Sequence, residues 1–396
     1  MKQSIFILPV IVISQFCCTS LWFAGNGVIG DLITNFNLQA SALGHLTSAV
    51  QFGFILGTLL FAALTIADRF SPSKVFFACA LLGALFNAGV IYDQNNLTSI
   101  LLLRFTTGFF LAGIYPVGMK IAADYFQKGL GKSLGFLVGA LVLGTAFPYL
   151  AKEISGSLSW EYVLLSTSLF AVIGGVLMLT MVPDGPYQTR ENKFDLSAFI
   201  SVFHNRKFRA AAFGYFGHMW ELYAFWAFVP AILKTYETEH PSAGFNIPLL
   251  TFLIIGIGGI ACVISGYLAA LIGTKKIARW ALALSCICCL ASPLVFTTKY
   301  ESVFVIFLLF WGMVVIADSP LFSTLVAQNT ASKTKGTALT IVSCIGFLVT
   351  IISIETINIL QNSINSIYIY TLLALGPIFG LIALHDKNNF DMDTTK

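Results

Sequence analysis

The chain has 396 residues, of which 57% are hydrophobic and 10% are charged, and its mean hydropathy is +0.85. Soluble domains carry roughly 25% charged residues, so this composition excludes a soluble protein and predicts one that lies in a lipid bilayer. The net charge of +4 comes from cations that are spread along the chain, and this distribution excludes nucleic acid as a partner.

The apolar residues form runs that approach the ~20 residues which a helix needs to cross a bilayer. We therefore predict an all-α integral membrane protein with twelve transmembrane helices. The predicted spans are 5–30, 43–66, 74–92, 97–123, 131–152, 160–182, 208–235, 249–272, 277–297, 302–327, 335–359 and 367–385.

The longest polar stretch separates spans 6 and 7 and predicts a division into two six-helix bundles. The predicted parts are a first bundle (1–182), a cytoplasmic linker (183–207), a second bundle (208–385) and a cytoplasmic tail (386–396).

Two fragments with the same spacing of glycine and proline lie 204 positions apart. Residues 108–116 read Gly-Phe-Phe-Leu-Ala-Gly-Ile-Tyr-Pro, and residues 312–320 read Gly-Met-Val-Val-Ile-Ala-Asp-Ser-Pro. The same offset relates Trp22 to Trp226. A repeat of this length predicts two pseudo-symmetric membrane halves with a substrate site between them.

The positions of Lys and Arg indicate how the spans are oriented. If the N-terminus is cytoplasmic, 17 of the 22 cations face the cytoplasm, three face the outer side and two lie within span 4. Because cytoplasmic loops are rich in Lys and Arg, this bias predicts that both termini are cytoplasmic and that the number of spans is even. The outer three are Lys152, Lys234 and Lys299, and the two within span 4 are Arg104 and Lys120.

The loop after span 2 contains an Asp-Arg pair, Asp68 and Arg69, followed by Lys74 at the start of span 3. This arrangement resembles the loop signature of the major facilitator superfamily, in which such residues clamp neighbouring helix ends at the cytoplasmic side. The resemblance implies that Asp68, Arg69 and Lys74 form a cytoplasmic gate. The chain departs from the signature at Ser71-Pro72, where a glycine is usual.

Further residues resemble the same superfamily, and the resemblance covers the whole chain. Arg104 and Gly108 look like its Arg-x-x-x-Gly element, which is often linked to proton coupling. Span 5 is rich in glycine but lacks the adjacent Gly-Pro of the antiporter motif, which favours import. Spans 7 and 10 look like bacterial members described as nitrate or cyanate permease-like. Nitrate itself is disfavoured, because nitrate carriers resemble one another in having an arginine in both helix 2 and helix 8, and neither span 2 nor span 8 of this chain contains an arginine.

Charged residues inside the spans are candidates for function, because a charge at mid-bilayer costs at least ~2.5 kcal/mol. In the superfamily, helices 1, 4, 7 and 10 line the central cavity, and the resemblance places four of the five candidates on these helices. We interpret Glu355, the exception, as structural. The five are Arg104, Lys120, Glu221, Asp318 and Glu355.

Glu221 lies near the middle of span 7, three residues after His218. Residues at this spacing share a helix face, and a carboxylate and an imidazole there can pass a proton near neutral pH. We predict that this pair takes part in proton coupling, with Glu221 as the main acceptor. The alternative is a structural hydrogen bond between the two residues that fixes helix 7.

Arg104 and Asp318 are the other candidates for proton coupling. Arg104 either attracts an anionic substrate or forms a permanent ion pair with a group on helix 1 or helix 7. Asp318 lies two residues before Pro320, which weakens helix 10; its alternative role is to cap the broken segment. We expect Lys120 to pair with Asp124, one turn further on.

Aromatic and polar residues on the cavity helices predict the contacts with substrate. Trp22 and Trp226 are favoured because the repeat relates them, although aromatic residues are common at membrane interfaces in general. The predicted substrate-binding residues are Trp22, Asn26, Arg104, Tyr115, Trp220, Trp226 and Trp311.

These observations predict a secondary active transporter that moves a small organic solute, anionic in one interpretation, by alternating access with proton-coupled import. The alternative is a proton-driven exporter of drugs or siderophores. The scattered histidines and the cysteines inside apolar runs predict no enzyme activity, metal or cofactor. We expect a monomer in the bacterial inner membrane, with the solute, protons and lipid as its partners.

Overall fold

The computed structural model describes residues 6–126, 130–156, 158–187, 202–331, 334–361, 363–364 and 366–385. Residues 188–201 of the predicted linker and the predicted tail at 386–396 lie outside the described residues.

The described part of the chain forms twelve long helical segments in succession, and they confirm the predicted all-α membrane fold of two six-helix bundles. The segments are α1 (Ile7–Thr19, Ala24–Gly27 and Ile29–Asn35), α2 (Ala42–Ala63), α3 (Pro72–Ala88), α4 (Leu97–Leu111 and Tyr115–Tyr125), α5 (Leu130–Ser155), α6 (Glu161–Met181), α7 (Arg206–Glu239), α8 (Ile247–Ile272), α9 (Thr274–Phe296), α10 (Glu301–Ala317 and Ser319–Gln328), α11 (Lys335–Leu360) and α12 (Ile369–Ala374 and Leu375–Leu384).

Nine helices among the described residues are long and apolar enough to cross a membrane. Segments α1 and α12 contain shorter apolar helices, and α7 is a helix of 34 residues that carries His218 and Glu221. Loops that follow odd-numbered helices lie at one end of the molecule, here called the distal end. Loops that follow even-numbered helices lie at the opposite, proximal end.

Segments α4 and α10 are interrupted at positions that the repeat relates. A proline lies in the first turn of the second half of each segment, Pro116 in α4 and Pro320 in α10. Proline is tolerated in a first turn, where its missing N–H has no helical partner, but it breaks a helix interior. The prediction that Pro320 weakens α10 is confirmed. The predicted span 97–123 corresponds to one membrane-crossing stretch, Leu97–Tyr125, which is interrupted at residues 112–114.

Two repeat-related glycines allow the helices of each bundle to cross closely. A Cβ atom on Gly108 of α4 would lie 2.0 Å from Val50 O of α2. A Cβ atom on Gly312 of α10 would lie 1.9 Å from Ile254 O of α8. Val50 and Ile254 are themselves 204 positions apart, so the same backbone crossing is built twice, and small residues are what such crossings need in membranes.

The two bundles meet along α2 against α11 and along α5 against α8. On α5 and α8 the contact again depends on glycine, because a Cβ atom on Gly139 would lie 3.2 Å from Gly259 O. Small residues therefore make this approach of α5 to α8, as close helix packing in membranes requires.

We predict that Gly312→Ala destabilises the protein, because a methyl group there meets the α8 backbone and overpacking costs about 1–3 kcal/mol. The matched control is Gly266→Ala in α8, where a Cβ atom would have no neighbour within 4 Å. Thermal unfolding in detergent measures both variants. Equal melting temperatures for the two variants would contradict the close crossing.

Candidate functional site

His218 of α7 and Asp318 of α10 form a buried pair of side chains in direct contact. His218 Nδ1 lies 2.8 Å from Asp318 Oδ1, and each side chain is 1% exposed. His218 Nε2 and Asp318 Oδ2 have no hydrogen-bond partner among the described residues. Because a buried polar atom without a partner costs about 1–3 kcal/mol, the pair is able to accept a proton or a polar atom of a ligand.

The position of this pair follows from the break in α10. Asp318 separates the two halves of the segment, and its side chain makes no capping hydrogen bond, so the structure does not support a capping role. Tyr215 flanks His218 with 6.1 Å between ring centroids. The second half of α10, which begins directly after Asp318, contacts α5 of the first bundle. The pair therefore lies beside the contact between the bundles.

Glu221 points towards other helices of its own bundle. Its Oε1 accepts hydrogen bonds from Trp311 Nε1 at 2.6 Å, from Cys289 Sγ at 3.2 Å and from Ser285 Oγ. The alternative of a hydrogen bond between His218 and Glu221 is therefore wrong, because the two side chains have different partners. Glu221 connects α7 to α9 and α10.

Two predicted substrate contacts have partners inside the second bundle. Trp311 donates to Glu221, and its side chain is fully buried. Trp220 Nε1 donates to Leu372 O of α12 at 3.1 Å. Both indoles therefore tie helices together in this conformation, and their role as substrate contacts stays a prediction.

Arg104 binds the interruption in α1. Its Nη2 donates to Leu21 O and Trp22 O at 2.8 Å each, and its Nη1 donates to Asn87 Oδ1 of α3 at 2.7 Å. Because no water reaches a bilayer core, carbonyl groups exposed by a helix break must be satisfied within the protein. The predicted alternative of an ion pair is wrong within the described residues, where the partners of Arg104 are neutral oxygens.

The loop after α2 is joined to α4 at the proximal end. Lys120 Nζ lies 2.8 Å from Asp68 Oδ1, which corrects the expected pairing of Lys120 with Asp124. Arg69 Nε donates to a threonine hydroxyl of its own loop at 3.2 Å, and Lys74 is exposed. Asp68 thus clamps two helix ends within the first bundle, and the gating role of these residues stays a prediction.

Six buried aromatic residues meet between the bundles, three from each. The contacts across the bundles include Trp22 stacked on Tyr223, with 5.9 Å between centroids, and Trp22 stacked on Phe347, with 5.7 Å between centroids. We call this group the aromatic cluster, and its members are Trp22, Phe23, Phe54, Tyr223, Trp226 and Phe347.

Polar groups around the aromatic cluster divide into those with partners and those without. Trp22 Nε1 donates to Gln51 Oε1 at 3.3 Å, and Asn26 Nδ2 donates to Thr47 Oγ1 at 2.8 Å. Trp226 Nε1 and Gln51 Nε2 are buried and have no partner among the described residues. The structure thus places the predicted residues Trp22 and Trp226 together, and it adds Gln51, which the sequence analysis missed.

The distal end carries a polar contact between the bundles that the sequence did not predict. Glu355 of α11 accepts a hydrogen bond from Ser48 of α2 at 2.7 Å and lies 3.2 Å from His45 Nδ1. Asn358 Nδ2 donates to Ser41 O at 3.1 Å. We call His45, Ser48, Glu355 and Asn358 the distal latch.

A second polar contact closes the same end. Asn246 Nδ2, at the start of α8, donates to Glu153 Oε1, near the end of α5, at 2.7 Å. Together with the distal latch, it joins both pairs of helices along which the bundles meet. The conformation is therefore one in which the distal end is closed.

Comparison with known proteins decides the family. The model of the Major Facilitator Superfamily matches residues 11–354. The chain belongs to this superfamily. The resemblance inferred from the proximal loop and from the twelve helices is confirmed, although the match does not identify a solute.

The curated relatives are distant and only partly covered. The chain is 27% identical over 161 residues to the putative niacin/nicotinamide transporter NiaP of Bacillus subtilis, which covers 40% of this chain and 39% of that protein. It is 24% identical over 251 residues to a probable L-galactonate transporter of Escherichia coli, which covers 58% and 53%. It is 24% identical over 157 residues to the putative multidrug resistance protein MdtD of Klebsiella pneumoniae, which covers 38% and 32%.

A solved structure shares the fold over nearly the whole chain. The proton:xylose symporter XylE bound to 6-bromo-6-deoxy-D-glucose superposes with a TM-score of 0.74, covers 95% of this chain and 94% of its own, and is 15% identical. At this identity the match supports the arrangement of the helices and does not extend to the solute.

We predict that a disulfide between Gly44→Cys and Asn358→Cys locks the distal end. A Cβ atom on Gly44 would lie 2.8 Å from Asn358 Cβ, so the helices need to part by only about 1 Å to reach ordinary disulfide geometry. With a protease site placed in the linker, oxidation should keep the two cut halves joined on a non-reducing gel. Each single cysteine variant is the control.

The same variant tests whether the distal end must open. Oxidised protein should lose solute transport, and reduction should restore it. Full transport by protein that is completely cross-linked would show that transport does not require opening of the distal end.

Proposed function

We propose that the protein is a secondary active transporter, which moves a small organic anion across the membrane by alternating access and couples this movement to protons. The observation that carries the proposal is the buried His218–Asp318 pair beside the contact between the bundles. The names of the relatives, which refer to niacin or nicotinamide and to L-galactonate, support a small organic solute.

The closed distal end supports alternating access. Because the bias of Lys and Arg predicts cytoplasmic termini, the distal end is the outer side, and the conformation described is closed to the outside. Opening must break the contacts of Glu355 with His45 and Ser48, and that of Glu153 with Asn246. These contacts lie on both sides of the central site, as a rocking motion of the two bundles requires.

The charge of the His218–Asp318 pair explains how a proton and an anion can be coupled. The pair is neutral overall, whether it is an ion pair or two uncharged groups. One added proton leaves a net positive charge in a buried site, and an isolated charge at this depth costs ~2.5–3.5 kcal/mol. An anionic solute cancels that charge. The carrier that holds both the proton and the solute therefore changes conformation readily, whereas the change is disfavoured when only one of them is bound.

The sequence predicts Glu221 as the main proton acceptor, whereas this proposal gives that role to the His218–Asp318 pair. Glu221 accepts three hydrogen bonds from its own bundle, and these donors hold it as a link between helices. Arg104 is similarly held by oxygens of α1 and α3. Both are positioning residues in this proposal, and the coupling role passes to His218 and Asp318.

We predict that Asp318→Asn impairs accumulation of solute driven by a pH gradient but leaves exchange of solute intact. In proteoliposomes, solute accumulation driven by an imposed pH gradient should fall at least about tenfold, because an amide cannot accept the coupling proton. Exchange of solute without a gradient should persist, because the imidazole of His218 remains and can still supply the positive charge that balances an anionic solute. Asp318→Asn that accumulates solute as well as the wild type would overturn the proposal.

Glu221→Gln is the matched control, because it also neutralises a buried carboxylate on a cavity helix. The amide oxygen of glutamine can still accept the hydrogen bonds from Trp311, Ser285 and Cys289. We expect this variant to keep gradient-driven accumulation. If Glu221→Gln loses accumulation while Asp318→Asn keeps it, Glu221 is the proton acceptor.

Export of drugs or siderophores is the second candidate, and the similarity to the putative multidrug resistance protein MdtD supports it. Direction is tested with vesicles of both orientations under the same imposed gradient. Import predicts that solute and protons move in the same direction. Export predicts that they move in opposite directions.

A further inference from the structure

We infer that the aromatic cluster is the recognition surface for the solute and that the solute is a planar aromatic acid, with its ring between the bundles and its carboxylate on Gln51 and Trp226. This inference rests on the proposed transport function and names the chemical class of its solute.

Gln51 provides the first of two buried hydrogen-bond donors that lack an acceptor within the described residues. The indole of Trp22 can only donate, so the atom of Gln51 that faces it at 3.3 Å must be the amide oxygen. The amide nitrogen of Gln51 is therefore a donor, and it is buried without an acceptor among the described residues.

Trp226 provides the second buried donor. Its Nε1 is also a donor only, is buried, and lacks an acceptor in the described part of the chain. Trp22 and Trp226 both contact the ring of Tyr223, with centroid distances of 5.9 and 5.3 Å. The two free donors thus belong to one cluster, and buried donors without partners call for an explanation. A ligand group that only accepts hydrogen bonds, such as a carboxylate, satisfies both.

The rings indicate what the rest of the solute is like. Trp22 of the first bundle lies nearly parallel to Tyr223 and Phe347 of the second, at interplanar angles of 28° and 26°. When the bundles separate, these faces lose their partners. A planar ring placed between them offers two new faces in the same orientation, whereas a saturated or heavily hydroxylated solute does not.

The test compares acids that differ only in the ring. Purified full-length protein in nanodiscs is titrated with benzoate and with cyclohexanecarboxylate, and binding is followed by tryptophan fluorescence and by thermal shift. We expect benzoate to bind about tenfold more tightly, because only it stacks on aromatic faces. Equal binding of the two acids, or tighter binding of gluconate than of benzoate, would overturn the inference.

Two variants test the carboxylate contacts. Trp226→Phe keeps a ring but removes the free donor, and we expect benzoate affinity to fall about tenfold. Gln51→Glu keeps an acceptor for Trp22, so the fold is preserved, but it sets a carboxylate against the acid and should abolish benzoate binding. Benzoate binding to Gln51→Glu at the affinity of the wild type would exclude this site.

The failure of this inference and that of the transport proposal have different signatures. If ring acids bind but no solute accumulates under a pH gradient, coupled transport is wrong and the recognition surface stands. If a non-aromatic solute accumulates under the gradient while benzoate neither binds nor competes, the recognition surface is wrong and coupled transport stands.

Discussion

The structure depends on one constraint of the bilayer, which is that a helix interrupted inside the membrane must have its freed polar groups satisfied by the protein. The interruption in α1 meets this constraint through Arg104, whose guanidinium bonds two backbone carbonyls and Asn87. The interruption in α10 places Asp318 against His218 and leaves polar atoms of both without further partners. Arg104 thus bonds two carbonyls of the first break, whereas the second break leaves buried side-chain atoms without hydrogen-bond partners among the described residues.

The duplicated sequence explains the scaffold, and its unequal residues explain the chemistry. Gly108 and Gly312 make the same crossing in both halves, and Pro116 and Pro320 begin the second halves of matching helices. The charged groups are not duplicated, since the offset that relates the halves places Asp318 opposite an isoleucine. The same helix crossing thus occurs in each bundle, whereas the ionisable pair occurs in the second bundle.

Much of this could be predicted from the sequence because hydrophobic length and helix-breaking residues act locally. The twelve helices, the family and the break at Pro320 all follow from such patterns. The partners of Glu221, Arg104 and Lys120 could not be predicted, because rotation of a helix about its axis decides which neighbour a side chain meets, and mostly apolar helices carry little periodic signal. Glu355 shows the same limit, since its partners on α2, His45 and Ser48, lie more than 300 positions away.

Trp22 connects three parts of the molecule at once. Its carbonyl binds Arg104, its indole binds Gln51, and its ring stacks on the opposite bundle. Displacing Trp22 would therefore remove one of the backbone acceptors of the buried Arg104 guanidinium. The consequence is an asymmetry in how the two interrupted helices are held: the break in α1 is tied to two neighbouring helices through Trp22, whereas the side chain at the break in α10 pairs with a single described residue, His218.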